Sequence, residues 1–446
     1  MVESLVTVTR SPARRPRLHP AWIVAAVAFI ALIGAAGFRA GPSVLMVPLQ
    51  DEFGWSRGLL SLAVSVNLVL FGVIAPFAAA LMDRFGIRAV TSSALCLIAA
   101  GSGLSVFVSA GWHLVVLWGV LIGTGTGSMA LVFAATSANR WFARRRGPCH
   151  GDADRRQRAG QLIFLPVMAW MTEWSGWRAA ALVIAAAALG VIPLVLRYLH
   201  NHPADRGVEP YGAVNSGADA ASGEAADVAA AGRARVPAHL GVGAARRAVD
   251  ALQMAARRRT FWALAGGFAI CGATTNGLIG THSVPAAHDH GMAQTTAAGL
   301  LAVVGIFDIV GTVASDALSD RVNPRIMLAI YYGLRGTGLL MLPYLLSDTL
   351  HASMIAFVVI YGLDWVATVP PTAMLCREVF GEQGTIVFGW VFASHQIGAA
   401  LASVGAGIIR DVTGTYTAAW LGAAALCVVA ATVSANVRRV GGATAT

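Results

Sequence analysis

The sequence predicts an all-α integral membrane protein of twelve transmembrane helices, arranged as two six-helix pseudo-repeats. Three observations predict it. Composition is the first: 57% of residues are hydrophobic and 12% charged, where a soluble domain carries roughly 25% charged residues, and mean hydropathy is +0.67. Segmentation is the second. Apolar runs cover 21–49, 58–82, 88–109, 112–138, 157–174, 178–198, 260–285, 296–318, 325–346, 351–375, 384–409 and 415–437, most of them near the length of about 20 residues that crosses a bilayer. The third is an internal repeat. Val47-Pro48 followed by Asp83-Arg84 recurs as Val284-Pro285 followed by Asp320-Arg321, with 35 residues from proline to aspartate in each copy and 237 between copies. Repeated multi-helix halves mark secondary transporters, which bind substrate where the halves meet.

In chain order, residues 1–20 form a tail, 21–198 the first half, 199–258 a linker, 259–437 the second half and 438–446 a second tail. The first span is too long and too deep in the chain for a cleaved signal sequence. Net charge is +10, and all 32 basic residues are arginine. With the amino terminus inside, they gather in the tails, the linker and the even-numbered loops. Only Arg57, Arg178 and Arg410 fall outside, and Arg39 and Arg335 lie within spans. This positive-inside bias predicts cytoplasmic termini in a bacterial inner membrane. It accounts for the basic pI without nucleic acid as a partner. Five cysteines lie scattered with no paired spacing, so neither a disulfide framework nor a metal motif is predicted, and they read as packing residues. Residues 199 to about 256, rich in Ala, Gly, Asp and Glu around Gly212 to Gly232, read as a cytoplasmic linker that is largely disordered. Ala245 to Arg259 places Val249, Leu252 and Ala256 on one helical face, either on the membrane surface or in solvent.

Further anchors keep the repeat in register. Arg140-Trp141-Phe142 after the fourth span matches Arg377-Glu378-Val379-Phe380 after the tenth. Six spans, a long inside linker and six more, with Asp-Arg turns after spans two and eight, resemble the major facilitator superfamily over nearly the whole chain. Its signature is G-x-x-x-D-R-x-G-R. Here it reads Ala79-Ala80-Leu81-Met82-Asp83-Arg84-Phe85-Gly86-Ile87-Arg88, and in the second half Asp316-Ala317-Leu318-Ser319-Asp320-Arg321. Both copies lack the leading glycine, which in the family allows tight helix packing, so packing near Asp316 stays open. The resemblance implies alternating access, with Asp83, Arg84, Asp320 and Arg321 as cytoplasmic gating turns. A finer resemblance is to bacterial members of the monocarboxylate and oxalate/formate branch. It rests on Asn139-Arg140-Trp141-Phe142 before a basic cluster, Thr281-His282 leading to Pro285, and Tyr331-Tyr332-Gly333-Leu334-Arg335-Gly336. That resemblance implies a small organic anion and a proton as partners, in a monomeric carrier.

The fifth span begins badly. Gly147 to Arg158 reads G-P-C-H-G-D-A-D-R-R-Q-R, where each charge at a helix centre would cost about 2.5–3.5 kcal/mol. Back-translated with G/C-favouring codons and shifted by one base, it becomes the apolar string G-L-V-M-G-M-L-T-A-A-N-A. That string aligns with Thr385-Ile386-Val387-Phe388-Gly389 of span eleven. A compensated frameshift is one reading and a genuine polar loop the other.

Charged groups inside spans are rare, expensive and usually face a cavity. Here they are Arg39, Asp308, Arg335, Asp364 and His395. Arg39 offers a planar donor fork suited to a carboxylate, or it snorkels to the outer face. Its repeat partner is Asn276, preceded by Thr275, so these two and His282 complete the expected substrate site. Asp308 and Arg335 lie at similar depth on neighbouring spans and are predicted to pair, either structurally or as a switch. Asp364, beside Trp365 and ahead of the helix-breaking Pro370-Pro371, either titrates or joins helices. His395 titrates near neutrality or is structural. Asp308, Arg335, Asp364 and His395 are thus the proton-coupling candidates. His282, His288 and His290 are too loosely spaced for a metal site. No phosphate-binding loop, nucleophile elbow or zinc motif appears, which argues against an enzyme, a cofactor or direct drive by ATP. A proton-coupled monocarboxylate carrier, a drug or cation efflux carrier of the same fold, and a transport-inactive protein damaged in its fifth helix are the three readings.

Overall fold

Each apolar run closes its own backbone hydrogen bonds as a helix, because a lipid-facing N–H or C=O has no water to turn to. The computed structural model describes residues 19–129, 133, 136–137, 140–142, 146–211 and 240–437, with backbone alone for 36–40, 146–164 and 240–242. Helix α1 spans Pro20–Phe53. His19 starts it, its ring Nδ1 accepting the Ala21 N–H at 3.2 Å, and Gly54 ends it at φ 65°. Helix α2 (Arg57–Ile74) passes through a 3-10 turn, Ala75–Phe77, into α3 (Ala78–Phe85). Gly86 then turns the chain at φ 87°, and the Asn201 amide sits 2.7 Å from where a Cβ would stand. Helix α4 covers Ile87–Leu104. Next come α5 (Gly111–Leu114), π-helical turns at Val115–Ile122 and α6 (Gly123–Ser128). Helix α7, Arg146–Tyr198, is broken at Gly176 (φ 80°).

The second half follows α8 (Leu240–Ala256). Helix α9 (Arg259–Gly272) runs through π-helical turns, Ala273–Ile279, into α10 (Gly280–Asp289). Then come α11 (Gln294–Ser319), α12 (Pro324–Leu345), α13 (Ala352–Asp364), α14 (Val369–Phe380), α15 (Gly384–Thr413) and α16 (Thr417–Ala435). Among the described residues, eight helical stretches are apolar and long enough to cross a membrane. Two of these, Leu165–Tyr198 and Ala352–Thr413, are interrupted by glycines of positive φ, Gly176 and Gly381. Large apolar side chains such as Val310, Ile330, Leu401 and Val428 face outward along the helices, as lipid-facing surfaces require. Exposed Trp112, Trp174 and Tyr344 gather near one end, and Trp22, Tyr198 and Trp262 near the other, in the manner of interfacial aromatic belts.

Within the first half, α1 and α4 pack on α7. Within the second, α9 packs on α15, α12 on α16 and α11 on α13. The halves meet along two seams, α2 with α15 and α7 with α11, and α1 touches α10. The loss of the family glycine near Asp316 is answered elsewhere on α11. Asp316 is exposed, and the close approach is at Gly311, where an added Cβ would collide with the Leu363 carbonyl. Gly311→Ala must therefore push α11 from α13. It is expected to lower thermal stability in detergent by about 1–3 kcal/mol, and an unchanged melting temperature would show that the helices yield freely.

The linker helix departs from its expected placement. Ala248, Ala251 and Ala255 are buried, whereas Val249, expected on the apolar face, is 37% exposed. The alanine face lies on protein, against α3 of the first half and the start of α15 in the second. The Trp390 indole donates to the Ala248 carbonyl at 2.8 Å. Small alanines let backbones approach closely, so this face fits a protein surface better than lipid. The linker expected to be largely disordered has structure at both ends, a 3-10 turn at Pro203–Arg206 and α8 itself, while residues 212–239 and the Cys149 side chain lie outside the described residues. The polar stretch 147–158 continues as helical backbone from Arg146, with its side chains outside the description.

Candidate functional site

Pro370 and Pro371 have no N–H, so the chain between α13 and α14 cannot close its helical bonds. Three polar side chains take over that duty. Asp308 on α11 accepts the Val366 N–H at 3.1 Å and the Thr312 hydroxyl at 3.1 Å. Ser315, two turns along, donates to the Ala367 carbonyl at 2.6 Å. From α12, Arg335 donates through Nη2 to the carbonyls of Asp364 at 2.6 Å and Trp365 at 3.3 Å. Its Nε donates to Asp364 Oδ2 at 2.7 Å.

The expected Asp308–Arg335 pair is therefore corrected. Arg335 pairs with Asp364, and Asp308 binds the broken backbone. Similar depth on neighbouring helices was right, but the guanidinium turns toward α13. Arg335 is 1% exposed, lies over the Tyr332 ring at 5.8 Å, and also reaches the Cys271 sulfur at 3.0 Å. Cys271 Sγ also lies 3.2 Å from the Thr368 hydroxyl, so this cysteine is a polar contact and not only packing. Asp364 Oδ1 has no hydrogen-bond partner among the described residues.

A second network joins the halves at the α1–α2 end. Arg57 opens α2, and its guanidinium grips Asp289 at the end of α10 with two bonds, 2.7 Å and 3.2 Å. It also donates to Gln50 at 2.8 Å and to the Tyr416 hydroxyl at 2.9 Å. Arg410 of α15 holds the same Asp289 at 2.8 Å. Asp411 caps α2 across the seam, accepting the N–H groups of Arg57 at 2.9 Å and Gly58 at 2.7 Å. Beneath it, Val44, Leu165 and Ala169 of the first half pack with Val284, Ala287 and Ala298 of the second. Close by, Arg178 forms two bonds to Glu52 at 2.6 and 2.8 Å. Hydrogen bonds from Arg178 and then Trp177 hold the Glu52 carboxyl below the usual carboxylate range.

At the opposite end, Asp83 in the last turn of α3 meets Arg140 at 2.6 Å, and Arg140 also reaches the Asn201 carbonyl at 3.3 Å. Two motifs read separately in the sequence thus touch. The repeat does not copy this contact. Asp320 and Arg321 are exposed, and in that half Arg325 pairs with Glu378 at 2.8 Å.

The remaining expected residues are spread over the second half. His282 is fully buried at the Arg57 end. Its Nδ1 lies 3.1 Å from the Tyr416 hydroxyl, its Nε2 2.8 Å from the Ser403 carbonyl. The Thr275 hydroxyl turns to the Cys271 carbonyl at 2.7 Å, and Asn276 is half-buried in the π-helical turns. His395 lies between the rings of Phe268 and Phe392, at 4.9 and 5.9 Å. The Arg39 side chain lies outside the described residues. Sequence reasoning missed Arg57, Asp289, Arg410 and Asp411 as a group. A usable signal was present, since all three arginines left on the sparsely basic side prove to be ion-paired.

Two helical halves joined along paired seams, with buried charges confined to their interior and ends, define a multi-pass membrane transporter of small molecules. The chain belongs to the Major Facilitator Superfamily, whose sequence profile matches residues 24–403. It is 25% identical over 435 residues to an uncharacterized MFS-type transporter, YcxA, of Bacillus subtilis (strain 168), covering 95% of each chain. It is 27% identical to monocarboxylate transporter 13 of Bos taurus, over 91% of this chain and 86% of that one. Monocarboxylate transporter 11 of Mus musculus is 27% identical, over 93% of this chain and 86% of its own. These relatives are transporters, and the protein is a transporter rather than an enzyme.

Proposed function

We propose that the protein is a secondary carrier that moves a monocarboxylate across the bacterial inner membrane together with a proton, by alternating access. The observation that carries this reading is the likeness, over nine-tenths of the chain, to transporters named for monocarboxylates. In this reading the spans number twelve. The two interrupted stretches divide at Gly176 and Gly381, while α1 and the helix containing α5 and α6 supply the first and fourth. The arginine-rich side is cytoplasmic, with both termini and the linker there, so the Arg57 network closes the outer gate. Arg39 takes the carboxylate, with Thr275, Asn276 and His282 on the facing helix. Asp364, whose Oδ1 has no donor among the described residues, takes the proton and loosens its hold on Arg335. Asp308 and His395 flank that step, and the carrier works as a monomer.

Uptake of labelled lactate or pyruvate into proteoliposomes, with and without an inward proton gradient, tests this. Gradient-driven uptake is expected, and Arg39→Gln should abolish it while leaving thermal unfolding unchanged. Counterflow of cationic drugs in place of carboxylates would point to an efflux carrier. No flux at all would point to the lesion at residues 147–158, which resequencing of those codons then decides.

The Asp83-Arg84 and Asp320-Arg321 turns act as inner gating elements. Asp83→Asn removes the charge that holds Arg140. It should slow transport and bias the carrier toward the inward-open form, with little change in intrinsic affinity. Cysteine labelling from the cytoplasmic side reports the bias, and an unchanged pattern would count against gating.

A further inference from the structure

Helices α2 and α15 touch along their whole length, and the fold meets the polar needs of that seam with care. Ser65 donates to the Ala400 carbonyl at 2.7 Å. Val64 and Leu68 pack on Ala399 and Ala400. The amide of Asn67, buried in the same helix, donates to the Trp118 carbonyl at 2.7 Å. Gln396 breaks this pattern. It is 0% exposed, yet neither Nε2 nor Oε1 has a hydrogen-bond partner among the described residues. A buried amide left dry is unfavourable, and native folds keep few of them.

Gly72 lies opposite on α2, where a Cβ would come within 2.6 Å of Gln396 Cβ and 3.1 Å of its Cγ. With the Ala393 carbonyl also at 3.2 Å, the two helices approach closely here, and the Gln396 amide is held in the seam between them. Gly72 lies near the middle of the apolar stretch Arg57–Phe85, and Gln396 near the middle of α15. In two-fold repeat carriers that depth, between the halves, is where substrate binds.

We propose that Gln396 is a specificity residue that selects carboxylates bearing a hydroxyl on the carbon next to the carboxylate. This rests on the monocarboxylate reading above and sharpens it. A primary amide presents a donor and an acceptor side by side. A 2-hydroxy acid offers the matching pair: Nε2–H donates to a carboxylate oxygen, and the hydroxyl donates to Oε1. A 2-keto acid has acceptors only and leaves Oε1 unpaired, and so does a plain fatty acid. Sites built to bond a substrate hydroxyl reject analogues that lack it, because the buried protein group is then left without a partner.

The test uses the purified full-length protein in proteoliposomes, with pyruvate and propionate competing against labelled lactate. In the native protein lactate is expected to bind at least about tenfold more tightly than pyruvate. Gln396→Met keeps the shape of the side chain and removes the amide. It should erase that preference by raising the KM for lactate, which loses both bonds, more than that for pyruvate, which loses only the carboxylate bond. The same variant should unfold at a higher temperature without ligand, because the dry amide is gone; Gln396→Leu should follow it. Equal treatment of lactate and pyruvate by the native protein would overturn the assignment. So would a Met variant that loses both substrates alike or melts lower. Absence of any carboxylate flux or ligand-induced thermal shift in the native protein removes the underlying reading and the assignment together. Carboxylate transport without a hydroxyl preference removes only the assignment.

Discussion

Arg335→Gln is expected to destabilise the protein by roughly 3–5 kcal/mol, the usual consequence of stripping one partner from a buried ion pair. The loss has two parts. Asp364, 4% exposed, keeps its charge with no counter-ion. The carbonyls of Asp364 and Trp365 also lose their donors at 2.6 and 3.3 Å, next to the break between α13 and α14. Asp364→Asn should cost less, because an amide oxygen still accepts the Nε bond of 2.7 Å. The double change Arg335→Met with Asp364→Leu should recover part of the loss, since apolar replacement of a buried pair is often neutral or better. Recovery stays incomplete because the broken backbone is still unserved. Tryptophan-monitored unfolding in detergent of Arg335→Met, Asp364→Leu and their double variant closes the cycle, and strict additivity would mean that the two groups are not coupled. In transport, the double variant should carry substrate without responding to a proton gradient.

Arg57→Gln should open the α1–α2 end. Two charge-assisted bonds to Asp289, at 2.7 and 3.2 Å, join the halves there, and such bonds each contribute about 1.5–3 kcal/mol. Losing them should shift the balance of closed and open forms by roughly tenfold or more, since about 1.4 kcal/mol corresponds to a factor of ten. Asp289→Ala should do more, because it removes the acceptor of both Arg57 bonds and also the 2.8 Å contact with Arg410. Spin labels on α2 and α10 near these residues would show a longer distance population. Unchanged distances together with normal turnover would leave the network without a gating role.

Much of the fold was legible because membrane helices advertise themselves: apolar length, arginine asymmetry and a repeat held in register each have one main physical cause. The break after Asp364 was legible from Pro370-Pro371 alone. The partner of Arg335 was not. Depth along a helix can be counted from the sequence, but the direction of a side chain around the axis depends on how neighbouring helices rotate. That rotation decided between Asp308 and Asp364. The Arg57 network was hidden for a related reason, since its members are scattered from Gln50 to Tyr416 and meet only through the packing of α2 on α10 and α15. Gln396 looks like any polar residue in an apolar run until Gly72 is seen opposite it. The asymmetry between Asp83 and Asp320 shows the limit of repeat logic, because duplicated turns kept their residues but not their contacts.

The placement of α8 has a mechanical consequence. Only Arg257 and Arg258 separate it from α9, and Arg258 also donates to the Val379 carbonyl at 3.1 Å. The helix therefore rides with the second half while its alanine face leans on α3 of the first. In the alternating-access stroke proposed above, α8 would be a doorstop between two leaves, since parting α3 from α15 would require it to slide off one of them. Lengthening the chain on its far side, before Leu240, leaves that stop in place. One extra residue inserted within α8 between Ala251 and Ala255 would turn the preceding part of the helix by roughly 100° and take Ala248 and Ala251 off that surface.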